Sequence, residues 1–131
     1  MNNQFSNLQT DKKYKYDLEE RTAVLAERII DLVKKVKITA INNRIISQLV
    51  ASGGSIGANY CEANEAESKK DFIHKVSICK KEIKETRHWI RLLARANPEQ
   101  REELKKIWQE AQELLLIFSK IINSSKSLKI K

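Results

Sequence analysis

The sequence has little of what interrupts a helix. Its 131 residues include three glycines and one proline, too few for the many turns of an all-β fold. Cysteine is scarce as well. Cys61 and Cys79 are the two present, which does not make the Cys-dense framework of a small secreted domain. Both fall inside helical patterns and are read as buried small apolar residues. No apolar run approaches the roughly 20 residues that a bilayer-spanning helix needs, so no membrane partner is expected. Residues 1–16 are polar and lysine-rich and lack the apolar stretch of a secretory signal. A cytoplasmic location is the expectation. Acidic residues are also in deficit, with 17 Asp and Glu against 25 Lys and Arg, a formal net charge of +8. The excess is spread along the chain rather than gathered in one block. Spread positive charge keeps a surface soluble and attracts polyanions weakly.

What is present is helical periodicity. Leu18, Thr22, Leu25, Ile29, Leu32 and Val36 step by four and three, with Ile30 and Val33 beside them, and predict a first amphipathic helix. Residues 37–39 read as a connection. Ile41, Ile45, Ile46, Leu49 and Val50 open a second helix, which starts near Thr39 and reaches about Ala63. It must run through Gly53, Gly54 and Gly57, each costing about 1 kcal/mol relative to Ala. Gly53 and Gly57 are four apart, as are Gly54 and Ala58, so small residues leave a shallow groove for a neighbouring helix. Ser68, with Asp71 three residues on, resembles a capping box. It opens a third stripe of Phe72, Val76, Cys79, Ile83, Thr86, Ile90 and Leu93, widened by Ile73, Trp89 and Leu92 and ending near Ala96. Asn97 as N-cap and Pro98 at the first helical position start a fourth helix, and acidic Glu99, Glu102 and Glu103 suit its positive end. Leu104, Ile107, Ala111, Leu114, Phe118 and Ile121 carry it to Asn123, flanked by Trp108, Leu115 and Ile122. The expected architecture is all-α, an antiparallel up-down four-helix bundle over residues 17–123. A flexible N-terminal arm (1–16) precedes it and a basic, frayed tail (124–131) follows.

Two polar patterns are candidate functional features. Ser52, Ser55, Asn59 and Glu62 step by three, four and three along one helix face. With Gly53 and Gly57 they make a helix-packing or interface motif: a buried hydrogen-bond network that fixes register, or a subunit contact. Lys80, Lys84, Arg87 and Arg91 step by four, three and four along the third helix. With Lys69 and Lys70 they are the candidate nucleic-acid-binding residues, set against an ordinary salt-bridged surface. Other chemistries lack their residues. Glu85 and His88 form an E-x-x-H string, but a di-iron bundle needs two such strings plus Glu from two more helices, and Asp71 with His74 lies on the same helix. Residues 53–57 have neither the preceding strand nor the Gly-Lys-Ser/Thr ending of a phosphate loop. No catalytic residue, metal site or cofactor is expected, and the chain is read as non-enzymatic.

The string Gln48-Leu-Val-Ala-Ser-Gly-Gly-Ser-Ile-Gly-Ala-Asn-Tyr-Cys-Glu62, followed by Glu67-Ser-Lys-Lys-Asp-Phe-Ile-His74, Lys81-Glu-Ile-Lys-Glu-Thr86 and Trp89, resembles the bacterial four-helix-bundle proteins encoded within intervening sequences of 23S ribosomal RNA. It is similar also to the accessory protein of diversity-generating retroelements. The resemblance implies a homopentamer of basic character that binds RNA or a reverse transcriptase, and it implies no catalysis. Family sequences often carry Arg just before the Ser-Gly pair and Thr after it, where this chain has Ala51 and Gly54. Three functions remain in view: a homo-oligomeric binding module for RNA or a nucleic-acid-processing protein, a purely structural oligomer, and a metal-binding bundle enzyme.

Overall fold

The computed structural model describes residues 17–130, with side chains through Ser127. The N-terminal arm expected over residues 1–16 lies outside the described residues. Four α-helices follow one another: α1 (Leu18–Val33), α2 (Asn43–Asn64), α3 (Lys69–Ala96) and α4 (Arg101–Ile130), with a short 3-10 turn, Pro98–Gln100, ahead of α4. Each helix packs on its neighbours in sequence, and α1 also packs on α4, closing an antiparallel four-helix bundle. Among the described residues no helix is long and apolar enough to cross a membrane.

The helix starts follow capping chemistry. The Asp17 carboxylate accepts the Glu20 amide at 3.3 Å, and Glu19 and Glu20 fill the first turn of α1, where the helix dipole favours negative charge. Before α2, Thr39 and Asn42 cap one another: Asn42 N donates to Thr39 Oγ1 at 3.1 Å and Thr39 N to Asn42 Oδ1 at 2.8 Å. This reciprocal pair three residues apart is a capping box with Asn in the acidic position. At α3 the Ser68 hydroxyl accepts the Asp71 amide at 3.0 Å.

The expected apolar stripes form the core. Leu25, Ile29, Leu32, Leu49, Ile56, Phe72, Ile83, Leu93, Leu104 and Phe118 are essentially inaccessible to solvent. The Tyr60 and Phe118 rings meet at 5.6 Å in a tilted contact. Four residues assigned to the stripes or their flanks are instead exposed: Ile30, Ile41, Val50 and Trp108. Ile41 lies in the turn before α2, so the helical phase that would have carried it inward does not apply.

The second helix runs unbroken through its glycines. A Cβ on Gly53 would lie 2.6 Å from Ile29 Cδ1, and one on Gly57 would lie 3.0 Å from Thr22 Oγ1. Both positions face α1, and their lack of a side chain lets the two helices approach closely. Gly54 has nothing within 4 Å of that point, and Ala58 is exposed, so the second small-residue pair faces outward.

Two sequence expectations change at the ends of α4. Asn97 does not cap the helix with its side chain. Its Oδ1 accepts from Asn42 Nδ2 at 3.1 Å, with both residues buried. Within the turn the Asn97 carbonyl takes the Gln100 amide at 2.9 Å and Asn97 Nδ2 donates to Glu99 Oε2 at 3.3 Å, and α4 proper begins at Arg101. At the other end the helix does not fray at Asn123 but continues to Ile130. Beyond Asn123, Ser125 is still buried, so burial does not end with the apolar stripe.

Candidate nucleic-acid interface

The outer face of α3 carries most of the candidate residues. Its amphipathic pattern turns Val76, Cys79, Ile83 and Thr86 into the core, which leaves the residues between them facing outward. Ser77, Lys80, Lys81, Lys84, Glu85 and His88 line an open groove of about 530 Å³. Three lysines face a single carboxylate in that groove. None of the three makes an ion pair within 4.0 Å among the described residues. Glu85 and His88, the E-x-x-H string, sit on the groove wall among these lysines. Among the described residues no group of three or more His, Cys, Asp or Glu is placed to hold a metal ion.

The four-residue basic stripe read from the sequence is divided by tertiary packing. Lys80 and Lys84 face the groove. Arg87 turns toward α4 instead: its Nη1 donates to Gln112 Oε1, and its guanidinium carbon lies 5.5 Å from the centre of the Trp108 ring. The planar guanidinium stacks on the indole as a cation on a π face, so Arg87 is not a free phosphate ligand. Arg91 is exposed and joins a different depression of about 300 Å³ between α3 and α4, together with Arg101, Lys105 and Trp108. Lys69 and Lys70 sit in the first turn of α3, about 15 Å along the helix from Lys80 at 1.5 Å per residue, and belong to neither depression. Sequence reasoning left Lys81 off the candidate stripe and weighed His88 only as a metal ligand; it missed Arg101, Lys105 and the role of Trp108. The signal for the last three was Trp108 three residues after Lys105 on α4, which gains meaning only once α3 is known to lie alongside.

The helix-face motif also comes apart. Only Ser52 of its four polar residues is buried. Thr86 donates to Ser52 Oγ at 3.0 Å, and Ser52 donates to the Leu49 carbonyl at 3.3 Å; the Glu82 carbonyl at 2.8 Å is the alternative acceptor for Thr86. This hydroxyl link joins α2 to α3 inside the core. Ser55 and Asn59 bond only to their own helix, to the Ala51 and Ser55 carbonyls at 3.0 and 2.8 Å. Exposed Glu62 pairs with Lys75 of α3 at 2.6 Å. A single buried network is therefore not formed, because the residues wind gradually from the core at Ser52 to the surface at Glu62.

Cys79 is buried as expected, and burial raises its thiol pKa to about 12, which keeps it protonated and unreactive. Cys61 is exposed, contrary to the sequence reading. It lies one turn from Ala58 on the outward face of α2. The structure also reveals an anchor with no local sequence signature. Arg21 of α1 donates from Nε and Nη2 to both carboxylate oxygens of Glu110 at 3.0 and 2.9 Å, and from Nη2 to Glu113 at 2.8 Å. Burial works against the charge of Arg21, but the two carboxylates outweigh it and hold its pKa above the ordinary value.

The 23S rRNA-intervening sequence protein family model matches residues 15–123. A crystal structure of a protein of unknown function, assigned to the S23 ribosomal protein family, from Bacteroides thetaiotaomicron is 34% identical. The match covers 79% of this chain and 96% of that one, with a TM-score of 0.70. No curated protein matches.

Proposed function

The chain belongs to the 23S rRNA-intervening sequence protein family, and from that premise we propose that it is a non-enzymatic, self-assembling helical-bundle module whose basic surface binds RNA. The observation that carries this reading is the α3 groove, where Lys80, Lys81 and Lys84 stand without ion-pair partners among the described residues. Three cations gathered in one groove can engage an external anion together, and the net charge of +8 adds long-range attraction. Homopentameric assembly is the state that the family resemblance suggests. The outward small-residue face at Gly54, Ala58 and Cys61 and the exposed Leu116 supply surface for it. Assembly would multiply a modest patch by effective concentration. A cytoplasmic location fits such a partner. The similarity to the retroelement accessory protein raises a reverse transcriptase as another partner, but no observation on this surface favours it over RNA. The competing reading is a purely structural oligomer.

The test is RNA binding followed by fluorescence anisotropy at about 50 and about 200 mM salt, with light scattering on the same sample. Binding that weakens steeply with salt and is lost in Lys80→Glu/Lys84→Glu supports the proposal. Binding that is absent or insensitive to salt and to charge reversal returns the chain to a structural role. A monomer at working concentration removes the assembly part.

A further inference from the structure

The α3/α4 depression differs in kind from the lysine groove. Ile90, Ala94 and Leu104 give it apolar walls, and Arg91, Arg101 and Lys105 rim it with positive charge; no carboxylate lines it. None of these three cations makes an ion pair within 4.0 Å among the described residues. Trp108 stands in the wall with 36% of its surface exposed. Its ring is held in place by Arg87, which is itself anchored on Gln112. A pre-ordered aromatic plate, an apolar slot of about 300 Å³ and unpaired cations around the rim match a flat heteroaromatic group attached to an anionic backbone. An apolar protein helix docking here would bury three unpaired cations against apolar side chains, at a desolvation cost that an anionic ligand avoids.

We propose that this depression is a stacking site for one unpaired base of single-stranded RNA, with Trp108 as the platform and Arg91, Arg101 and Lys105 on the flanking phosphates. The proposal rests on the RNA reading above and specifies the form of RNA. Arg91 lies about 10 Å along α3 from Lys84, so a strand leaving the slot reaches the lysine groove within one or two nucleotides. A duplex keeps its bases stacked on one another and offers none to the slot.

The experiment compares a short single-stranded oligonucleotide, its abasic counterpart and a duplex of equal charge. Wild type is expected to prefer the single strand over both. Trp108→Ala should lose about tenfold in affinity for the single strand, in the range measured for base–aromatic stacking, and leave the abasic affinity and the salt slope unchanged. Trp108→Phe, which preserves an aromatic wall, should retain most of the affinity and guards against misfolding of the alanine variant. In a Trp89→Phe background the remaining indole fluorescence should be quenched by the single strand and not by the abasic chain. If wild type binds the single strand with a steep salt dependence while Trp108→Ala matches it, or binds the duplex as tightly, the stacking site is overturned and the RNA reading stands. If wild type binds no nucleic acid, both fall.

Discussion

The point where a Cβ on Gly53 would sit lies 2.6 Å from Cδ1 of Ile29, so α1 rests on α2 at a place where no side chain fits. Ile29 is itself 1% exposed and enclosed by the core, and its methyl cannot swing away freely. Gly53→Ala should therefore destabilise the fold by about 1–2 kcal/mol, overpacking outweighing the gain in helix propensity. Gly54→Ala, with open space around it, should stabilise by up to about 1 kcal/mol. Urea unfolding of the two variants, which differ by one position, checks the contrast. In the Gly53→Ala background, Ile29→Val should cost less than its usual ~1 kcal/mol or become favourable, because it removes the clashing carbon. Equal stability of the two alanine variants would mean that α1 does not sit this close.

Asn42 and Asn97 fasten both connections at one end of the bundle. Asn42 donates to the Lys37 carbonyl at 3.0 Å as well as to Asn97, and it accepts from Thr39. Asn42→Ala should cost about 2 kcal/mol, since one buried and two half-buried polar groups lose their partner together. Asn97→Ala should cost about half of that, because Asn42 keeps the Lys37 carbonyl. Chemical denaturation of each variant measures the difference, and a larger loss at Asn97 would reverse the assignment of the central residue.

The Ser52–Thr86 link should be non-additive. Each hydroxyl retains a backbone acceptor when the other is removed, Leu49 for Ser52 and Glu82 for Thr86. Ser52→Ala and Thr86→Val should each cost about 1 kcal/mol or less. The double variant, with no buried hydroxyl left, should cost less than the two together. A double-mutant cycle by thermal melting reads the coupling, and strict additivity would show that the hydroxyls do not interact.

Glu82 should make stability depend on pH. Burial first, then the negative charge of Glu85, raises its carboxyl pKa above the ordinary value, with Lys81 acting in the opposite sense. A carboxyl that holds its proton more tightly when folded favours the folded state below its unfolded pKa, and that contribution disappears as pH rises through the folded pKa. Glu82→Gln cannot ionise. It should melt higher than wild type at neutral pH, with the gain vanishing below about pH 4. A gain of constant size across the titration would point to packing rather than charge.

Much of the fold was legible because helical phase is a local property. Leu18 through Leu32, Phe72 through Leu93 and Leu104 through Phe118 recur at the helical period, and that recurrence alone selects which face each helix buries. The Ser68–Asp71 cap was equally local. Asn97 was not: its side chain has a partner across the bundle, and no neighbour in sequence announces Asn42. The same holds for the candidate site. Lys80 and Lys84 could be read as one outward face from their spacing, but the loss of Arg87 to Trp108 depends on where α4 lies.

By itself the amino-acid order determined four amphipathic helices, their apolar faces and the excess of positive charge, since each of these depends on residues a few positions apart. Tertiary packing alone decided that Gly53 and Gly57 receive α1 while Gly54 looks outward. It also decided that Arg21 meets Glu110, and that Arg91, Arg101, Lys105 and Trp108 border one slot. Those relationships join residues distant along the chain, and distance along the chain carries no information about which two faces meet until the helices have closed around a common core.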